Sequence, residues 1–310
     1  MARVARRGRT SFIVVMLGVP LCPYVIFVLS PYAQAFYISF TKWSGYTSTK
    51  TWVGLGNYRR LMHDSVFWTA LRHNALALVI VPIVTIALAL FFASLLNVGG
   101  RKGRAAVQGV RGASIYRVVY FFPTILSIAV IGVLWSFVYD STGNGLLNGA
   151  LKAFGGGGPV DWLGSPDTAF YAILAVMVWL SVGFYVVLFT AGMSSIPREL
   201  YEAALIDGAG RWDTFWRLTL PLLWDSIQVS VIFIGIQALD LFALVNVMSS
   251  GGGLGGPDNS TQVVSNYLYL SAFKYSEYGY ASAIGVVLFV LMLLLAALTF
   301  RLSRRDRVAM

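Results

Sequence analysis

Long apolar runs, separated by polar loops, recur along this 310-residue chain. About 20 apolar residues of helix span a bilayer core, and six runs are long enough to do so. Barrel strands would instead alternate and be about half as long. The pattern therefore predicts an all-α polytopic membrane helix bundle with six transmembrane helices. The predicted spans, one to six, are Phe12–Phe40, Ala75–Leu96, Val118–Val138, Ala169–Met193, Leu222–Met248 and Ala281–Phe300.

The composition also indicates a membrane protein. The chain is 57% hydrophobic and only 12% charged, against about 25% charged residues in soluble domains. So few polar side chains would not cover the surface of a soluble fold of this length. The arginine-rich start precedes the first run without a small-residue cleavage site, so we expect that run to be retained rather than removed as a secretory signal. We expect a multi-pass protein of the cytoplasmic (inner) cell membrane.

The net charge of +10 is distributed between the apolar runs. Nucleic-acid binding would require the basic residues on one folded face, and the chain does not place them so. With both termini inside the cell, 16 of the 23 Lys and Arg residues fall on the inner side, as the positive-inside rule requires. The main exception is the basic first outer loop, Lys42–Arg72. We therefore predict cytoplasmic basic termini at residues 1–11 and 301–310, with one membrane domain at 12–300.

The loop between spans four and five, residues 197–221, contains its own helix signals. Pro197 suits a first helical position, where its missing N–H costs nothing. Glu199 and Glu202 place negative charge near the positive end of the helix dipole. Gly208 suits the left-handed residue just past a helix C-terminus. These signals predict a short helix outside the bilayer.

A second short helix is predicted from about Arg211 to Leu220, with Trp212, Phe215 and Trp216 on one face. Pro221 then begins span five. By composition alone, this pair of helices is equally consistent with an amphipathic connection lying in the membrane interface and with a partner-binding element.

The order of residues in this segment resembles the signature of permease subunits of binding-protein-dependent ABC importers. The matching positions are Glu202, Ala203, Ala204, Asp207, Gly208, Ala209, Phe215, Leu218, Leu220 and Pro221. Leu218 stands where the family usually has isoleucine. The wider chain is similar to the carbohydrate-importer branch, in its maltose-type first-permease subgroup, through Val53–Tyr58 after span one and Gly255–Pro257 after span five.

The resemblance implies a permease that forms half of a translocation pathway and works by alternating access. Its expected partners are a second permease, two ATPase subunits that bind ATP and Mg, and an extracytoplasmic substrate-binding protein. The short helix pair in the coupling segment 197–221 would dock on the ATPase, with Glu202 facing a basic group and Gly208 setting the bend. Ala203, Ala204, Asp207, Ala209, Phe215 and Pro221 complete the implied coupling site.

No sign of catalysis is found within the chain. A phosphate-binding loop ends in Gly-Lys-Ser/Thr, and Gly99–Gly103 lacks that ending. His63 and His73 are predicted to be surface residues rather than metal ligands, and Cys22 alone forms no internal disulfide. We therefore expect no enzyme activity and no cofactor in this chain, with ATP hydrolysis in a partner subunit.

Polar residues within a span are candidates for a transport pathway. Asp240 lies about 28 Å along a helix from Pro221, and the pattern places it on one helical face with Gln237 and Leu244. Asp and Gln can hydrogen-bond sugar hydroxyls, and Trp179 and Tyr185 of span four could stack on a sugar ring. The alternative is that Asp240 pairs locally and the aromatic residues only pack the bundle or anchor it at the interface.

Two other transport functions stay open at this point. An ion-coupled secondary transporter would contain inverted repeats and several buried ionisable residues, whereas Asp240 is the one candidate here and no repeat is evident. An ABC importer permease could also carry a non-sugar solute, such as a sugar-phosphate ester.

Overall fold

The computed structural model describes residues 15–98, 112–142, 145–249 and 255–303. The predicted basic N-terminus at 1–11 and most of the basic C-terminus, from residue 304 onwards, lie outside the described residues. So do the Gly99–Gly103 stretch and part of the glycine-rich loop after span five.

The described chain is mostly helical, with one short hairpin. The hairpin pairs β1 (Thr41–Lys42) with β2 (Thr51–Trp52) in antiparallel register. The helices are α1 (Val15–Ser39), α2 (Gly56–Met62), α3 (Ser65–Val98), α4 (Ala113–Phe121), α5 (Ile128–Val138), α6 (Leu146–Ala153), α7 (Ala169–Ser195), α8 (Arg198–Ile206), α9 (Arg211–Leu222), α10 (Trp224–Leu239), α11 (Phe242–Met248), α12 (Val264–Tyr269) and α13 (Tyr278–Ser303).

Four of the described helices, α1, α3, α7 and α13, are long and apolar enough to cross a membrane. Two bent helix pairs, Ile115–Ile125 with Ile128–Val138 and Arg211–Leu222 with Trp224–Leu239, raise the number to as many as six if each pair is one span. The prediction of a polytopic helical bundle is confirmed. Six spans stay a prediction that depends on the two bent pairs.

Span three is not the continuous helix that the apolar run Val118–Val138 predicted. A 3₁₀ turn at Phe122–Ile125 follows α4, and the two arms meet at 100°. Leu126 and Ser127 have extended backbones, and the Ser127 hydroxyl accepts a hydrogen bond from the N–H of Val130 at the start of α5. Pro123 contributes to the break because it has no backbone N–H to donate.

Span five is also interrupted, contrary to the prediction of one helix over Leu222–Met248. It bends by 68° between α9 and α10. The helix α10 then ends at Leu239, and Asp240 has non-helical angles (φ −108°, ψ 63°) before α11 begins. The prediction that Gln237, Asp240 and Leu244 share one helical face is therefore wrong.

The chain divides into two compact units. The larger unit comprises residues 65–267 and 290–310, and its described core is apolar and built mainly from α3, α7, α10 and α11. The largest completely buried side chains in that core are Phe189, Ile131, Ile173, Leu223 and Ile234. Many other apolar residues on these helices are exposed, as expected for surfaces that face lipid.

The smaller unit comprises residues 1–64 and 268–289. The Asn57 side-chain amide donates to the backbone carbonyls of Ser39 (2.8 Å) and Thr41 (2.9 Å), which ties α2 to the chain leading into the hairpin. Arg60 forms an ion pair of 2.8 Å with Glu277, and its guanidinium lies 4.1 Å from the centre of the Tyr280 ring. These contacts join the basic segment Lys42–Arg72, the predicted outer loop, to Ser39 and Thr41 before it and to Glu277 and Tyr280.

Candidate functional site

The coupling segment begins with α8, a two-turn helix that ends in a Schellman motif. Pro197 precedes the helix as its N-cap, one position earlier than its predicted place. The N–H of Gly208 donates to the carbonyl of Leu205 (3.1 Å), and the N–H of Ala209 donates to that of Ala204 (2.9 Å). Gly208 has φ +78°, as predicted for the left-handed residue after the helix. The bend is therefore a local property of the backbone.

Helix α8 is held from one side and open on the other. The Tyr201 hydroxyl lies 3.2 Å from the Thr219 hydroxyl, and Tyr201 and Ala204 are half-buried. The opposite face, with Glu202 and Ala203, is exposed, and the apolar side chain of Ile206 is 86% exposed. Leu200 and Leu205 of the same helix are exposed as well, and a group of exposed apolar side chains is typical of an interaction surface.

The turn between α8 and α9 borders a shallow hollow of about 370 Å³. It is lined by Ala204, Asp207, Gly208, Ala209, Asp213, Thr214, Arg217 and Leu218. Four of the predicted coupling residues therefore meet at one place. Phe215 is half-buried and packs against the core of the larger unit, whereas Pro221 is exposed in the last turn of α9.

The charges of this segment are mostly directed to solvent. Arg217 lies 3.8 Å from Asp213 in an exposed pair within α9. Among the residues that the structure describes, no basic group lies within 4 Å of the Glu202 carboxylate. The basic group that the sequence resemblance implies for Glu202 is therefore not among the described residues of this chain.

The second group of predicted residues lies at the break in span five. Gln237 and Asp240 are exposed, while Ala238 and Leu239 between them are buried. Non-helical backbone at membrane depth occurs where it is enclosed by protein or lines a water-filled cavity. The pathway role of Asp240 stays a prediction.

The aromatic candidates on α7 differ from each other. Trp179 is 43% exposed and packs edge-on against Trp135 of α5 at 5.4 Å. Tyr185 is buried, with its ring against Phe184 and Phe189. Among the described residues, the ring contacts of both lie within the bundle, and none of them is with Gln237 or Asp240. Their role in a pathway stays a prediction.

Sequence reasoning missed two polar contacts of α3. His73 was predicted to be a surface residue, yet it is half-buried, stacks on Phe170 at 4.6 Å and donates from Nδ1 to the carbonyl of Gln262 (2.8 Å). Asn74 was not identified at all, and it is completely buried against the break in span five. The signal was present, because a polar pair directly before an uncharged run is a candidate for an internal contact.

These features define a class of protein: a helical membrane protein with interrupted spans and an exposed, ordered helix pair between two of them. The chain belongs to the family of binding-protein-dependent transport system inner membrane components, whose model matches residues 70–308. It is a multi-pass permease subunit of this importer class, and the resemblance stated from the sequence is confirmed.

Several relatives match over nearly the whole chain. The diacetylchitobiose uptake system permease protein NgcF of Streptomyces coelicolor is 44% identical, over 96% of this chain and 83% of that protein. The multiple sugar-binding transport system permease protein MsmF of Streptococcus mutans is 33% identical, over 94% and 95%. The trehalose/maltose transport system permease protein MalF of Thermococcus litoralis is 32% identical, over 97% and 96%.

The fold is shared with a solved structure. A chain of a bacterial ABC transporter that imports the acidic polysaccharide alginate superposes with a TM-score of 0.78 at 21% identity, covering 99% of this chain and all of that one. The alginate transporter has also been crystallised with a pentasaccharide-bound periplasmic protein, with the same TM-score for the matching chain. At this level of identity, the likeness establishes the fold.

Proposed function

We propose that this chain is one of two permease subunits of an ATP-driven carbohydrate importer and forms half of its translocation pathway. In this arrangement six spans cross the cytoplasmic membrane, with both termini and the coupling segment 197–221 inside the cell. Two ATPase subunits lie beneath and bind ATP and Mg, and an extracytoplasmic binding protein delivers the substrate from above.

The observation that carries this proposal is the construction of α8. Its C-terminus is fixed by the Schellman motif, its Tyr201 face is anchored, and its Glu202 and Ile206 face is exposed. A rigid helix with an exposed apolar and acidic face can transmit a displacement between subunits. Closure of the ATPases would draw the two permeases' coupling helices together and open the pathway outward, which is alternating access by a two-state element.

A sugar is the substrate class that best fits both the residues and the relatives. Gln237 and Asp240 offer hydroxyl-binding groups, and Trp179 offers an exposed ring near the bundle surface. The relatives' names refer to diacetylchitobiose, trehalose and maltose. A carboxylate at the break would repel a phosphate ester, so a neutral di- or oligosaccharide is favoured over a sugar phosphate.

Copurification tests the proposed assembly. We expect that affinity-tagged chain, extracted in mild detergent from its native host, carries with it a second permease and an ATPase. Glu202→Ala should lower the recovered ATPase at least about ten-fold, because it removes a charged contact from the docking face. The tagged chain itself should reach the membrane in normal amounts.

Glu199→Ala is the matched control, since Glu199 is equally exposed one turn earlier on α8 and the signature assigns it no contact. Uptake that persists without ATP or without a binding protein would contradict the importer and favour an ion-coupled secondary transporter. Normal recovery of the ATPase with Glu202→Ala would contradict only the docking role of Glu202 and not the proposed importer.

A second prediction concerns the pathway. Asp240→Asn should reduce the rate of radiolabelled diacetylchitobiose uptake by roughly ten-fold or more, because a hydrogen bond to a charged group contributes about 1.5–3 kcal/mol. A panel of neutral di- to pentasaccharides should be tested in the same cells if diacetylchitobiose is not transported by the unmodified protein.

Asp225→Asn provides the comparison, since Asp225 is an exposed aspartate in the first turn of the same helix α10. Transport by that variant should be normal. If Asp240→Asn leaves both the half-saturating concentration and the maximal rate of uptake unchanged, Asp240 does not contact the substrate.

A further inference from the structure

The break in span five is held by one buried side chain of another helix. Asn74 lies about 14 Å along α3 from its first residue and is 0% exposed. Its side-chain amide nitrogen donates to the backbone carbonyls of Ala238 and Leu239, each at 3.1 Å. Its amide oxygen accepts from the N–H of Val264, the first residue of α12, at 2.8 Å. We call this set of three hydrogen bonds the Asn74 clasp.

The two carbonyls in the clasp are the ones that a continuous helix would use further along the chain. In an α-helix, the carbonyl of Ala238 would accept from the N–H of residue 242, and that of Leu239 from residue 243. The apolar run favours such a continuation, and it predicted a single helix through this region. Both carbonyls instead accept from Asn74, so the break in the helix leaves neither of them without a partner.

A change between the broken helix and a continuous helix is costly in either direction. Backbone groups without a partner are strongly disfavoured in the bilayer interior, so a broken helix needs a neighbour that satisfies the freed carbonyls. An asparagine side chain supplies two donors and an acceptor together. The neighbouring His73 bonds the carbonyl of Gln262 at 2.8 Å, which holds the chain before α12 against the same part of α3. The hydrogen bonds of His73 and Asn74 thus connect α3 to the break after Leu239 and to the start of α12.

We propose that Asn74 is a positioning residue that holds span five broken after Leu239 and so presents Asp240 to the transport pathway. The consequence for transport rests on the proposed function, in which Asp240 meets the substrate. The consequence for the backbone is independent of the proposed function. Without the two donors of Asn74, the helix is expected to continue through Asp240 into α11.

Hydrogen exchange on the purified importer complex tests the backbone directly. Asn74→Leu keeps the volume and removes all three hydrogen bonds. In the continued helix, the amides of residues 242 and 243 would donate to the carbonyls of Ala238 and Leu239. Their exchange should slow at least ten-fold relative to the unmodified complex. General damage to the fold would have the opposite effect, because loosened packing speeds exchange.

Asn74→Asp is the second variant, because the aspartate keeps an acceptor for Val264 but lacks both donors. It should also slow exchange at residues 242 and 243, even if the leucine variant fails to insert. Thr85→Val is the matched control: Thr85 is buried on the same helix α3, and its hydroxyl has no hydrogen-bond partner among the described residues. Its exchange pattern should equal that of the unmodified complex.

Uptake of the same saccharide probes separates this inference from the proposed function. If exchange slows and uptake also falls at least ten-fold, both are supported. If exchange slows while uptake is unchanged, the clasp is real and the assignment of Asp240 to the pathway fails. Exchange at residues 242 and 243 that is unchanged or faster in both Asn74 variants overturns the positioning role.

Discussion

Replacing Gly208 with valine is expected to lower coupled transport by roughly ten-fold or more while the protein still reaches the membrane. Gly208 has φ +78°, and a Cβ at this position would meet no atom within 4 Å. The penalty is therefore in the backbone alone, and it amounts to about 1–2 kcal/mol for a residue with a Cβ. We expect the last turn of α8 to unwind and so relieve the strain. Unwinding would change the direction of the exposed side chains Glu202 and Ile206.

The measurement is substrate-stimulated ATP hydrolysis by the assembled complex in lipid vesicles, together with uptake. Gly208→Asn should retain most of the coupling, because asparagine tolerates the left-handed region better than other residues with a Cβ. Gly149→Val is the matched control, since Gly149 also has open space around it but lies within helix α6. Normal stimulation in Gly208→Val would show that the bend does not transmit the displacement.

Replacing Gly183 with alanine is expected to destabilise the bundle more than other single-methyl additions to α7. A Cβ at Gly183 would lie 1.7 Å from the backbone carbonyl oxygen of Tyr120, at the end of α4 just before the bend in span three. Backbone at this point cannot give way as a flexible side chain can. We expect a loss of roughly 3 kcal/mol, at the upper end of overpacking effects, and a Tm lower by roughly 5–10 °C in detergent.

Gly192→Ala on the same helix is the comparison for this effect. Its added methyl would lie 2.7 Å from the end of the Leu223 side chain, which can rotate away. Its unfolding temperature should therefore fall by clearly less. Equal unfolding temperatures for the two variants would show that α4 is not held against α7 as closely as the structure has it.

The coupling segment could be predicted from its sequence because its signals are local. A helix start, a dipole-compatible acidic turn and a left-handed glycine lie within a dozen residues, and each acts through the backbone nearby. Gly208 accordingly adopts the predicted conformation, and Pro197 differs by one position. The exposure of Glu202 depends on a tertiary contact as well: the Tyr201 and Thr219 hydroxyls meet, which turns that side of α8 inward and leaves Glu202 on the exposed side.

The interruptions of spans three and five could not be predicted in the same way. An apolar run reports that a segment prefers lipid or a core, and it contains no information on where a helix ends inside that environment. Pro123 was a local signal for the first bend, yet prolines are tolerated within membrane helices. The break at Asp240 had no local signal, because the residue that stabilises it, Asn74, lies more than 160 positions earlier in the chain.

The sequence by itself determined that the chain is a polytopic helical membrane protein with a short helix pair at 197–221, and the order of residues in that pair indicated the importer-permease family. The helical spans and the helix pair depend on hydrophobic length, on charge and on short-range backbone preferences, whereas the family rested on the resemblance of a motif; all of these can be read along the chain. Only the tertiary structure decided that span five stops at Leu239 and that Asp240 is exposed there. The physical reason is that a buried carbonyl must find a donor, and in this protein the donor comes from another helix.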